Sequence, residues 1–155
     1  MDKIDLILNQ LRALGFDLDI LKKENCYHLI FEDTHILYMP AEDDNDFLRF
    51  AVPAVFDVTD ENRGSVFEIT NKLNSDLKYL KAIVMSDSLW LFMEYRMTEG
   101  QQIDELLEFV IRMLQYSRNY FRKLISGDDG DDESLNTDND SSVEISDNEI
   151  NDKED

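Results

Sequence analysis

The chain holds one cysteine and two histidines in 155 residues. A lone Cys26 excludes an internal disulfide framework and fits a reducing cytoplasm. Positive charge is scarce, with 15 Lys and Arg against 35 Asp and Glu, net −20. A phosphate backbone requires clustered Lys and Arg, so no nucleic acid is expected as a partner. The same deficit argues against an anionic membrane surface. No stretch is long and apolar enough to span a bilayer. Asp2 and Asp5 stand where a signal peptide would carry bases, and no long apolar run follows. No internal repeat is visible. The expected compartment is the cytoplasm.

The acidity is uneven. From Gly127 to Asp155 there are 13 acids and one base, net −12. The residues before it carry 22 acids and 14 bases, net −8. We read 1–126 as one folded domain, large enough to bury a core. Residues 127–155 have no aromatic residue and little apolar content, and read as a disordered acidic tail.

Ile4, Ile7, Leu8, Leu11 and Leu14 fall at helical spacing, and Gly15 suits a left-handed cap. Asp17–Ile20 alternates as a short strand. Tyr27–Phe31 and His35–Met39 are rich in strand formers, joined tightly through Glu32-Asp33-Thr34. Phe47–Val58 alternates cleanly. Leu48, Phe50, Val52, Ala54, Phe56 and Val58 share one face, and Pro53 predicts an edge or a bend. Thr59 or Asp60 caps a helix over Ser65–Asn74 that turns Val66, Ile69, Thr70 and Leu73 to the sheet.

Two strands follow, Tyr79–Met85 and Leu89–Met97. With the turn at Asp87-Ser88, Met85 opposes Trp90, Ile83 opposes Phe92, Lys81 opposes Glu94 and Tyr79 opposes Arg96. The pairing includes an ion pair and a cation–π contact. Leu80, Ala82, Val84, Leu91, Met93 and Tyr95 collect on the core face. A helix from about Gln101 to Ile125 carries Ile103, Leu106, Leu107, Val110, Leu114, Phe121 and Leu124 as its stripe. Acids lie near its start and bases near its end, which complements the helix dipole. The fold class is therefore α+β, an antiparallel sheet with helices packed on it, in the order α-β(3-4)-α-β-β-α.

This order, with Phe67–Asn74 leading into Leu80–Met85, Leu89–Tyr95 and Ile103–Leu114, resembles the YbjN family. That family shares the fold of the dimeric bacterial type III secretion chaperones. Asp87-Ser88 stands where the family pattern has a turn glycine. The resemblance implies a bacterial, non-catalytic protein that binds other proteins and forms a homodimer. It brings no catalytic residue.

Chemical constellations are sparse. Cys26 and His28 share a strand face near His35, but a closed metal site needs three or four ligands. A Cys–His nucleophile also needs an orienting third group. Neither acidic run, Glu42–Asp46 or Asp128–Glu133, has the alternation and central glycine of a calcium loop. Arg63-Gly64-Ser65 precedes a helix without the phosphate-loop pattern. Arg112, Arg118, Arg122 and Lys123 read as dipole complementation. No metal, cofactor or enzymatic activity is expected.

The candidate protein-binding residues are Ile83, Met85, Trp90 and Phe92, on the face opposite the core. The bland reading is that a helix of the same chain covers them. Otherwise they form an apolar patch ringed by charge, with Trp as anchor and Met as adaptable contact. The expected function is a chaperone or adaptor module presenting that face to a protein client or a twin subunit. The alternative is a small acidic regulator whose tail acts on a basic partner surface.

Overall fold

The computed structural model describes residues 2–127. The expected tail, 127–155, lies outside the described residues except for Gly127. Helix α1 (Lys3–Ala13) starts where the Asp2 carboxylate accepts from the Asp5 N–H at 2.9 Å. It ends on Gly15, at φ +100°. Gly15 N donates to the Arg12 carbonyl at 2.9 Å and Phe16 N to the Leu11 carbonyl at 3.1 Å. These two bonds close the helix in the left-handed manner that glycine adopts most easily.

Six strands follow: β1 (Asp19–Leu21), β2 (Cys26–Phe31), β3 (Thr34–Tyr38), β4 (Phe47–Asp57), β5 (Leu80–Met85) and β6 (Ser88–Arg96). Helix α2 (Arg63–Asp76) joins β4 to β5, and α3 (Ile103–Ser126) ends on Gly127 at φ +75°. The strands form one antiparallel sheet in the order β1-β2-β3-β4-β6-β5. The α+β class with helices on an antiparallel sheet is as expected from the sequence.

Local chemistry explains where the boundaries moved. Glu32 and Asp33 both take positive φ, 47° and 68°, and Phe31 pairs with Thr34. This is the geometry of a two-residue hairpin turn, so Thr34 belongs to the strand. Helix α2 begins at Arg63 after the N-cap Asn62, whose side chain makes no cap bond. Thr59 and Asn62 instead bond each other, with Thr59 N to Asn62 Oδ1 at 2.8 Å and Asn62 N to Thr59 Oγ1 at 3.2 Å. The predicted cap residue thus closes the turn before the helix.

Strand β4 keeps Leu48, Phe50 and Val52 buried. Its alternation breaks at Ala54, which is exposed at φ +47°. Val52 pairs with Leu91 and Phe56 with Leu89, so Pro53, Ala54 and Val55 together oppose Trp90. Pro53 lies beyond the last β3–β4 pair, Leu37↔Ala51. It sits where a missing N–H leaves no ladder bond unmade.

The β5–β6 register differs from expectation by two residues. Met85 pairs with Ser88, Ile83 with Trp90 and Lys81 with Phe92, around a turn at Ser86-Asp87. Ser86 takes φ +55°, and the Val58 N–H donates to the Asp87 carbonyl at 2.8 Å. A two-residue slip leaves every side chain on its own face, so alternation cannot detect it. The turn decides, and no glycine marks it.

One cluster gathers the core. Ile7, Leu8 and Leu11 of α1, Leu73 of α2, and Leu107, Val110, Leu114 and Phe121 of α3 meet Leu29, Ile36, Phe50, Leu91 and Met93 of the sheet. Each such large side chain contributes about 1.5–3 kcal/mol on burial. Ile111 and Ser117 are also buried on α3. Ser117 donates to the Met113 carbonyl at 2.6 Å, so its helix satisfies the polar group that pattern reading passes over.

Asn74 ties α2 to the sheet edge. Its side-chain nitrogen donates to the Ala82 carbonyl at 3.1 Å, and its oxygen accepts from the Ala82 N–H at 2.8 Å. Ala82 therefore points both backbone groups away from β6, and a side chain meets them.

Candidate interaction surface

The sheet has two unlike faces because side chains alternate along each strand. The core cluster takes buried residues of all three helices to one face. Among the described residues, no helix contributes to a covering layer on the other. That second face carries Leu37, Ala51, Phe92, Trp90 and Ile83 across four strands.

The four residues singled out from sequence are brought together there. Trp90 and Phe92 stack with centroids 5.9 Å apart and planes at 17°. Ile83 is the direct cross-strand partner of Trp90. Their exposures differ: Phe92 is 6% exposed, Met85 39%, and Trp90 and Ile83 lie between. Phe92 thus forms the floor of the patch, and Trp90, Ile83 and Met85 form its reachable surface. The β4 bulge sits beside Trp90, and bulges recur where a strand must re-aim a side chain. The bend that Pro53 predicted is this bulge, and what the sequence did not show is its place beside Trp90.

Charge bounds the patch. Glu94 accepts from Arg49 Nε and from Lys81 Nζ, each at 3.0 Å. Burial pushes the Glu94 carboxyl up, but bonds and charge from Lys81 and Arg49 outweigh it and hold it below its ordinary value. The Lys81–Glu94 pair forms as expected, but diagonally, because Lys81 stands opposite Phe92. Arg49 also lies over the Phe47 ring at 5.0 Å. Farther out, Arg96 lies 3.7 Å from Asp44 and 3.6 Å from Asp46, and Lys3 is 2.9 Å from Asp46. The bond and charge of Lys3 hold the Asp46 carboxyl down. The acidic loop Glu42–Asp46 thus closes ion pairs. The expected Tyr79–Arg96 cation–π contact is not made, since Tyr79 packs on Tyr95 and Phe109.

On the same face, His28 Nε2 lies 2.8 Å from His35 Nδ1, with ring centroids 5.0 Å apart. The rings meet edge to edge through one N–H···N bond. Asp19 Oδ2 is 3.7 Å from His28 Nδ1. No group of three or more His, Cys, Asp and Glu is placed to hold a metal among the described residues. Cys26 is 1% exposed. Burial, then the charge of Glu24, pushes its thiol up and keeps it protonated. Arg118 of the basic cluster donates to the buried Thr34 hydroxyl, so it is committed to the fold. No helix among the described residues is long and apolar enough to cross a membrane.

Comparison with solved structures places this architecture. The chain is similar to YbjN from E. coli, described as a candidate transcription regulator, with a TM-score of 0.60 and 15% identity over 79% of this chain and 92% of that one. It is also similar to an uncharacterized protein from Methanothermobacter thermautotrophicus, with a TM-score of 0.58 and 14% identity over 81% and 97%. Identity this low supports a common fold and carries no function with it. No family model matches the chain. No curated protein matches it either. The chain has a YbjN-like fold, as its element order suggested.

Proposed function

With the YbjN-like fold as premise, we propose that the chain is a non-catalytic protein-binding module of chaperone or adaptor type. Its working surface is the helix-free sheet face around Ile83, Met85, Trp90 and Phe92, and the occupant is a protein client or a twin subunit. The observation that carries this reading is the stacked Trp90–Phe92 pair on a face that no described helix covers. An apolar patch walled by ion pairs has the anatomy of a protein contact, with a dry centre and a charged rim. The buried, protonated thiol of Cys26, which is no exposed thiolate nucleophile, supports a non-catalytic role. We take the cytoplasm as the compartment, because the free Cys26 requires no oxidising environment.

Trp90 is the only tryptophan, so its emission reports directly on this face. Light scattering on the protein from native extract gives the oligomeric state and the co-purifying protein together. Trp90→Ala with Met85→Ala should weaken that contact at least tenfold while circular dichroism is unchanged. Normal binding by the folded double variant would overturn the reading.

The second reading is a regulator that acts through its acidic C-terminal segment, where 13 acids face one base. Deleting Gly127–Asp155 tests it. Partner binding that survives the deletion with unchanged salt dependence rejects it.

A further inference from the structure

We infer that a groove between α3 and the β5–β6 end of the sheet is a binding site for an arginine side chain of a protein partner. The groove opens on the helix-bearing side and does not depend on the sheet-face reading. It is an open depression of about 420 Å³, and Tyr79, Tyr95, Phe109, Gln102 and Glu105 line it.

The rings form a corner. Tyr79 lies 5.5 Å from Tyr95 with planes at 32°, and 5.6 Å from Phe109 with planes at 87°. Two of the three stay in solvent, with Tyr79 56% and Phe109 37% exposed. The backbone is bent to place Tyr79 there. Leu80 faces the core, so a regular strand would send residue 79 to the opposite face. Tyr79 instead takes φ +68°, and its ring joins Tyr95 and Phe109 on the helix side. For a bulky residue this conformation costs about 1–3 kcal/mol, and such strain collects at functional positions.

Charge selects the occupant. The Glu105 carboxylate is exposed and has no basic partner among the described residues. The one cation over a ring among the described residues is Arg49 on Phe47, so no described base fills the corner. Arg96, next to Tyr95 in sequence, is engaged with Asp44 and Asp46, and Lys78, next to Tyr79, lies over no ring. An aromatic corner beside a free carboxylate attracts a cation through the ring faces and the charge together. A guanidinium fits better than an ammonium. Its flat face stacks on the rings while its fork donates to the Glu105 carboxylate and the Gln102 amide oxygen. The groove is wide and shallow, which suits a side chain carried on a peptide.

The test uses the full chain and three capped tripeptides, Gly-Arg-Gly, Gly-Lys-Gly and Gly-citrulline-Gly. Ring resonances of Tyr79 and Phe109 are followed by NMR. The arginine peptide should shift both in a saturable way, the lysine peptide should bind more weakly, and the citrulline peptide should leave them in place. Glu105→Gln should weaken the arginine response by about two- to fivefold. Tyr79→Gly should do at least the same while keeping the fold, since glycine accepts that φ. Lysine and arginine peptides acting equally would overturn the site. So would shifts that spare both rings, or wild-type binding by folded Tyr79→Gly.

Discussion

Arg49 and Glu94 face each other directly across β4 and β6, with Nε 3.0 Å from Oε2. Lys81 completes the clamp from β5. Because the folded Glu94 carboxyl titrates below its unfolded value, its contribution is fully present above the unfolded value. It is lost as pH falls through the folded one. Glu94→Gln should cost about 1–3 kcal/mol at neutral pH, from bonds to charged partners. In urea melts across the acid range, the variant's stability should fall less steeply than that of the wild type.

The reachable part of the patch and its floor should respond differently to truncation. Phe92→Ala empties a buried site and should cost about 3–5 kcal/mol. Met85→Ala, at an exposed site, should stay within about 1 kcal/mol. Thermal melts of the two single variants check this. They also show why Met85 and Trp90, and not Phe92, are the positions at which binding can be tested cleanly.

Asn74 should be hard to replace. Asn74→Ala leaves the Ala82 N–H and carbonyl without their partner, at a cost of about 1–3 kcal/mol. Asn74→Asp keeps the acceptor and loses the donor, so its loss should be smaller. Hydrogen exchange at the Ala82 amide should accelerate in the alanine variant and much less in the aspartate one.

Ser86 is the first residue of the β5–β6 turn and holds φ +55°. Ser86→Gly relieves that conformation and should leave stability unchanged or raise it by up to about 1 kcal/mol, despite the greater entropy of the unfolded glycine. A fall of that size in denaturant melts would contradict the assigned turn.

The sequence made some of this legible and hid the rest for identifiable reasons. The helix stripes and the sheet faces were readable, because burial imposes a period of 3.6 or 2 on the residues themselves. The two faces of the β5–β6 hairpin came out correctly even though its register did not, because a slip of two preserves parity. The form of the bulge at Pro53–Val55, where Pro53 announced an edge or a bend, and the placement of Tyr79 were hidden in a different way. Both depend on positive φ at Ala54 and Tyr79, residue types that do not advertise it. The grouping of Ile83, Met85, Trp90 and Phe92 followed from alternation. The burial of Phe92 beneath that surface did not, because it depends on neighbours from β3 and β4 that only the sheet order supplies.

The Asn74 amide has one more consequence. A sheet recruits a further strand wherever a row of backbone groups is left open. Here the β5 margin is met at Ala82 by a side chain of its own molecule, and the opposite margin, β1, is only three residues long. Growth in the plane of the sheet is hindered at Ala82 on one side and by the shortness of β1 on the other. A visiting chain would therefore find it easier to settle flat across this sheet, as a hand on a table, than to slide in alongside as one more slat.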